Sequence, residues 1–109
     1  MNWFDSHCHL QGYLNKGILA DVLTRAEINE VTRMAAVGTS PEDWSTYQSL
    51  SRQYKETIFY TVGLHPCYVN SNFGKEIEQM EDFFESNYPP VAVGEVGLDY
   101  FHLPNDKTL

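Results

Sequence analysis

The chain has 109 residues, a length that fits one domain with a core of its own. Seven Lys and Arg stand against fifteen Asp and Glu, and no basic cluster occurs, which argues against binding driven by non-specific neutralisation of phosphates. Two cysteines exclude a disulfide framework, and without an apolar leader or a run of about 18 apolar residues we expect a reduced, cytoplasmic protein with no membrane span.

The first predicted strand is a short apolar stretch, residues 2–5, that runs directly into two histidines. Positions two apart share a face of a strand, so Asp5, His7 and His9 lie on one face and Cys8 packs on the other as a small hydrophobe. Two imidazoles on one face can chelate one cation, although rings spaced in this way also occur by chance and then only hydrogen-bond locally. Asp5 fits either the cap of a loop or support of a ligating histidine, and its position under His7 favours the second role.

The next segments alternate between helix and strand. After a glycine-containing loop at 11–17, apolar spacing predicts an amphipathic helix over 18–29 and then a strand over 31–37. Ser40 followed by Pro41 predicts the start of a second helix, which runs to about Tyr54.

A third strand is predicted over 57–62, rich in β-branched and aromatic residues. A helix over 73–87 ends at Pro89-Pro90, and a fourth strand covers 91–96. This β-α-β-α-β-α-β order implies a parallel sheet with right-handed crossovers, within a single domain over 1–109. Residues 101–109 are polar and contain Pro104, which predicts a loose tail.

Two further polar groups follow the third and fourth strands. Glu95 lies at the end of an apolar strand, where a carboxylate is costly without a partner, so a cation, solvent or a structural hydrogen bond must satisfy it. His65, in Gly-Leu-His-Pro, fits either contact with a phosphate oxygen or metal-bound water, or a turn residue bonded to the backbone. Asp99 fits either support of a ligating histidine or the cap of a loop.

Three islands therefore follow strand ends in a fixed order: Asp5-Ser6-His7-Cys8-His9-Leu10, Val62-Gly63-Leu64-His65-Pro66 and Val93-Gly94-Glu95-Val96-Gly97-Leu98-Asp99-Tyr100. Together they resemble the TatD family of metal-dependent deoxyribonucleases and phosphoesterases, a branch of the amidohydrolase-like TIM barrels. The resemblance implies an α/β fold in which about four parallel β/α units form the first half of a TIM-type barrel. A complete barrel of this type has about 250 residues.

By this resemblance His7, His9 and Glu95 are metal ligands, with Glu95 also catalytic, His65 contacts the substrate, and Asp5 and Asp99 support the ligands. The family completes its site with two more histidines and an aspartate from the second half of the barrel. Two divalent cations per complete site are implied, with Mg, Mn and Zn all compatible with the ligands.

The leading hypothesis is a TatD-type hydrolase that cleaves phosphodiester bonds in DNA or another phosphoester, incomplete as this short chain. The chain is then either a fragment of a longer enzyme, or a second copy or a complementing second half of the barrel supplies the missing ligands. The alternative is a truncated, non-catalytic module that binds metal or a partner and oligomerises through its open sheet. A third hypothesis is a hydrolase of carbon–nitrogen bonds. The Gly-Glu-Val-Gly-Leu-Asp island argues against it.

Overall fold

The computed structural model describes residues 1–101, in which four strands alternate with helices. All three strand pairings are parallel, in the order β1-β2-β3-β4, which confirms the predicted β/α units. The strands are β1 (Trp3–Cys8), β2 (Val31–Ala36), β3 (Ile58–Val62) and β4 (Ala92–Val93). The helices are α1 (Gln11–Asn15), α2 (Leu19–Ile28), α3 (Pro41–Gln53) and α4 (Phe73–Phe84), with a 3₁₀ turn at Pro66–Tyr68.

The sheet is curled. Neighbouring strands are about 4.8 Å apart, so in a flat sheet the backbone of β4 would lie about 10 Å from that of β2. Just beyond β4, however, the Glu95 N–H donates to the carbonyl of Gly38, just beyond β2, at 2.8 Å. The four curled strands confirm the first half of a TIM-type barrel.

The core lies between α3 and the two central strands. Aromatic and aliphatic residues three apart in α3 lie on one face of the helix. They pack against alternate residues of β3, which lie on one face of the strand. Ser40 begins the helix as predicted, in a capping box with Asp43 and with Pro41 at the first position. The buried side chains of this layer are Trp44, Tyr47, Leu50, Ile58, Tyr60 and Val62.

The segment predicted as a loop at 11–17 contains the short helix α1. Its N-cap residue, Leu10, supplies no side-chain cap. Instead, the hydroxyl of Tyr47 on α3 accepts the backbone N–H groups of Leu10 and Gln11, at 3.1 and 3.2 Å. A tertiary contact thus replaces the local start signal, which is why the sequence pattern missed this helix.

Helix α4 and strand β4 are both shorter than predicted. The helix ends at Phe84 because the Ser86 hydroxyl and N–H both donate to the carbonyl of Phe83. Only Ala92 and Val93 pair as a strand, since the backbone beyond them turns across the end of β2. Of the predicted loose tail at 101–109, all but Phe101 lies outside the described residues. Within residues 1–101, no helix is long and apolar enough to cross a membrane.

Candidate metal centre

Three of the predicted ligands converge at the carboxyl edge of the sheet. His7 and His9 come from the end of β1, and their Nε2 atoms lie 3.2 Å apart. Each of these nitrogens is 3.6 Å from the same oxygen, Oε2 of Glu95, which comes from beyond β4. The structure therefore brings together one carboxylate and two imidazoles from opposite ends of the strand order.

The spacing of these three atoms fits a first-row divalent cation. Edges of 3.2, 3.6 and 3.6 Å define a triangle whose centre lies about 2.0 Å from each corner, and zinc binds histidine nitrogen and carboxylate oxygen at about 2.0–2.2 Å. The chemistry of the donor set agrees, because imidazole and carboxylate ligands with open positions suit several divalent metals. The residues present thus fit the metal that the sequence predicted.

Glu95 is placed by backbone contacts with the two central strands. The Gly94 N–H donates to the carbonyl of Val62 at 2.8 Å, and the Glu95 N–H donates to the carbonyl of Gly38 at 2.8 Å. Gly63 permits this approach, because a Cβ atom there would lie 2.6 Å from the Glu95 nitrogen. After Val93 the backbone leaves its pairing with β3 and crosses to the end of β2. This path brings the carboxylate of Glu95 to the histidines.

His65 lies on the other side of Glu95. Its Nδ1 accepts the backbone N–H of Cys67 at 3.0 Å, so the neutral ring carries its hydrogen on Nε2. That Nε2 is 3.5 Å from Glu95 Oε1. A nitrogen that carries hydrogen has no lone pair for a cation, so this tautomer suits a hydrogen-bond donor at the edge of the site.

The sequence comparisons agree with this geometry. A family described as TatD related DNase matches residues 4–108. This chain belongs to the TatD-related DNase family.

Curated relatives of this TatD-family chain carry the name metal-dependent hydrolase. The uncharacterized metal-dependent hydrolase YcfH of Escherichia coli K12 is 32% identical over 107 residues, which cover 94% of this chain and 38% of the relative. An uncharacterized metal-dependent hydrolase of Buchnera aphidicola subsp. Baizongia pistaciae is 32% identical over 109 residues, 96% of this chain and 40% of the relative. One from Haemophilus influenzae is 26% identical over 103 residues, with 91% and 39% covered. The chain thus spans 38–40% of the length of these relatives.

The two aspartates of the TatD islands accept hydrogen bonds from backbone N–H groups two residues further along the chain. Asp5 Oδ1 accepts the backbone N–H of His7 at 3.1 Å, because an aspartate side chain readily reaches the N–H two residues on. It therefore supports the main chain of His7. Asp99 accepts the N–H of Phe101 at 2.8 Å and the thiol of Cys67 at 3.3 Å, which fits the loop-capping alternative.

Cys8 lies between the two histidines in sequence and points away from them. Its thiol donates to the carbonyl of Ala35 at 3.3 Å and packs against the core, as the strand alternation predicts. Burial, and secondly the charge of Asp5, raise the pKa of this thiol to about 12. Cys8 therefore belongs to the core side of β1, because its thiol points to Ala35 and not to the histidine pair.

A cleft of about 600 Å³ opens beside the metal centre. It lies between α1, the start of α3 and the 3₁₀ turn, and it shares His9, His65 and Glu95 with the site. A substrate group held next to the cation has room there. The remaining lining residues are Gln11, Thr39, Ser40, Glu42, Asp43, Tyr47, Cys67 and Tyr68.

Sequence reasoning missed two residues that hold this site in place. Tyr47 fixes the backbone just after His9, as described for α1, and Thr61 contacts the Gly94 carbonyl next to Glu95. Tyr47 lies in a predicted helix and Thr61 in a predicted strand, and neither belongs to a recognisable motif. The tertiary hydrogen bonds that give them a role have no signal in a single sequence.

Proposed function

We propose that this chain forms part of a TatD-type, metal-dependent hydrolase that cleaves phosphodiester bonds, in the manner of a DNase. The observation that carries the proposal is the convergence of His7, His9 and Glu95 on one point at metal-ligand spacing. The family description and the relatives' name, metal-dependent hydrolase, support it. Divalent cations, two per complete site, are part of the proposal, with Mg, Mn and Zn as candidates.

The residues present have distinct roles in this proposal. A bound divalent cation supplies Lewis-acid polarisation of a phosphoester and makes an attacking water more acidic. Glu95 turns Oε2 to the histidine pair, with which it would hold the cation, and turns Oε1 outward to His65. That second oxygen is placed to accept the proton of an attacking water.

His65 completes the arrangement on the substrate side. Its Nε2–H is held toward the site because the Cys67 N–H occupies Nδ1. A neutral imidazole N–H donates a hydrogen bond to a phosphoryl oxygen and thereby orients the ester. Because Nε2 is 3.5 Å from Glu95 Oε1, the two side chains can contact one substrate from the same side.

The proposed partners follow from charge and exposure. DNA or another phosphoester must approach a chain with a formal net charge of -8, so attraction has to come from bound cations. The outer strands expose apolar side chains, including Trp3, Phe4 and Val93, which suits contact with a second copy or with a complementing second half of the barrel. Both cysteines are free thiols, which supports a reducing, cytoplasmic setting.

A second candidate function is a non-catalytic module that binds metal and oligomerises. The exposed apolar residues of β1 and β4 favour it, because unpaired outer strands bind other strands whether or not catalysis occurs. This module would hold a cation through His7, His9 and Glu95 and would show no turnover.

The test is cleavage of a DNA oligonucleotide by the purified 109-residue chain with Mg²⁺, Mn²⁺ or Zn²⁺, alongside His7→Ala and Glu95→Ala. The matched control is Glu78→Ala, which removes an exposed carboxylate from α4. We expect each site variant to lose at least about 100-fold in rate, whereas Glu78→Ala retains wild-type activity.

The mass of the chain in solution and its metal content decide between the two functions. Metal bound through the site residues with no cleavage, in an oligomer, supports the non-catalytic module. Cleavage that survives both site substitutions contradicts the site itself.

A further inference from the structure

Thr61 is a polar residue buried within the sheet, with 7% of its surface exposed. It is the fourth residue of β3, and its neighbours in the strand, Tyr60 and Val62, belong to the core cluster. Because side chains alternate along a strand, Thr61 points away from that core, to the face on which the outer strands curl. A buried hydroxyl on this face needs hydrogen-bond partners.

The Thr61 hydroxyl acts both as a hydrogen-bond acceptor and as a hydrogen-bond donor. It accepts the backbone N–H of Gly38, just after β2, at 3.1 Å. It donates to the carbonyl of Gly94, just after β4, at 2.6 Å. A single side chain on β3 therefore ties together the ends of the strands on either side of it.

These contacts act on one peptide group, the one that joins Gly94 to Glu95. Thr61 holds its oxygen, and the carbonyl of Gly38 holds its N–H at 2.8 Å. With both polar atoms held, the peptide plane cannot rotate without breaking a buried hydrogen bond. The plane of this peptide sets the direction in which the Glu95 side chain leaves the backbone.

We propose that Thr61 is a positioning residue that directs the Glu95 carboxylate onto the imidazoles of His7 and His9. The inference rests on the proposed metal centre. Glu95 is the sole member of the group that comes from beyond β4, so small rotations of its backbone change its distance to both histidines together. Supporting contacts of this kind change metal affinity by about 10–100-fold when they are removed.

The decisive substitution is Thr61→Val, which keeps the branched shape and removes the hydroxyl. We expect cobalt(II) affinity, followed by visible absorption of the purified chain, to fall by about 10-fold or more, while Thr61→Ser stays within about 3-fold of wild type. The matched control is Thr57→Val, directly before β3, where the hydroxyl makes no hydrogen bond with residues 1–101. Thr57→Val should bind cobalt(II) as the wild type does.

Amide hydrogen exchange tests, without metal, whether the Thr61 hydroxyl holds the backbone next to Glu95. In Thr61→Val, the N–H groups of Gly38 and Glu95 should exchange faster, by about 10-fold, while that of Leu50 within α3 keeps its wild-type rate. If the valine variant does not fold, Thr61→Cys takes its place, since a thiol is a weaker hydrogen-bonding group of similar size. Its affinity should then lie below that of Thr61→Ser.

The outcomes separate this proposal from the proposed function. Wild-type chain that fails to bind cobalt(II) overturns the metal centre, and the role of Thr61 with it. Wild-type chain that binds cobalt(II), with equal affinity in the valine or cysteine variant, overturns the role of Thr61 alone. Unchanged exchange at Gly38 and Glu95 overturns it as well.

Discussion

The central layer of the molecule and its two outer strands differ sharply in burial. Trp44 on α3 is 0% exposed, whereas Trp3 on β1 is 58% exposed. Likewise Val62 on β3 is 0% exposed and Val93 on β4 is 59% exposed. The same residue types are thus core in one region and surface in the other. The sheet is packed at its centre and open at both sides.

Stability and chemistry reside in different parts of the molecule. All three members of the metal group lie at the ends of the outer strands: His7 is in β1, His9 directly follows β1, and Glu95 lies two residues beyond β4. Their positions depend on groups of the central layer: Tyr47 holds the backbone after β1, and Thr61 holds the backbone after β4. The open strands carry the ligands, and the packed centre sets their geometry.

The largest effect on stability is expected when a tryptophan is removed from each region in turn. Trp44→Ala should lower the free energy of unfolding by about 3–5 kcal/mol, because it opens a cavity and leaves the carbonyl of Gly63 without its 3.0 Å hydrogen bond. Trp3→Ala should cost far less, because over half of that side chain is already in water. Urea denaturation of the two variants measures both. Equal losses would show that the outer strand is as much a part of the core as α3.

A smaller effect is expected at the junction of β3 and β4. Gly63→Ala should cost about 1–3 kcal/mol, because the new methyl group meets the Gly94–Glu95 backbone and must displace it. Cobalt(II) affinity should fall with stability, since the displaced peptide carries Glu95. Denaturation and cobalt(II) titration of the same variant measure both effects.

The control for this prediction is Gly74→Ala in α4, where an added methyl group has nothing within 4 Å. Here the substitution should stabilise the protein by about 0.5–1 kcal/mol, because alanine favours helix, and should leave metal binding unchanged. A destabilised Gly74→Ala, or a Gly63→Ala that binds cobalt(II) normally, would contradict the crowding at Gly63.

The sequence predicted those parts of the fold that local patterns encode. The β-branched and aromatic residues over 57–62 predicted β3, and Ser40-Pro41 predicted the start of α3, because both signals lie within a few consecutive residues. The order of these units led to the parallel sheet. The convergence of His7, His9 and Glu95 was predicted because each follows a strand, and parallel strands end at one edge.

What the sequence did not predict depends on contacts between distant segments. Helix α1 begins where Tyr47, 37 residues away from Leu10, caps it. Strand β4 stops at Val93 because the next residues bond to Val62 and Gly38. Thr61 looks like any β-branched residue in a strand, and only the curl of the sheet brings Gly94 to its hydroxyl.

The smallest predicted effect concerns the contact between α3 and the end of β1. Tyr47→Phe removes a hydroxyl that accepts the N–H groups of Leu10 and Gln11, and it should cost about 1–2 kcal/mol, measured by urea denaturation. Tyr13→Phe, at a half-exposed ring on α1, is the matched control and should leave stability unchanged.

Tyr47→Phe also tests whether the central layer sets the positions of the histidines, as Thr61 is proposed to set the position of Glu95. If it does, Tyr47→Phe weakens cobalt(II) binding as well as folding, because the backbone that follows His9 is released from α3. A variant that loses stability but binds cobalt(II) at the wild-type affinity would mean that Asp5, through its 3.1 Å bond to the His7 N–H, is enough to place both imidazoles. The dependence on the central layer would then hold for the β4 side alone.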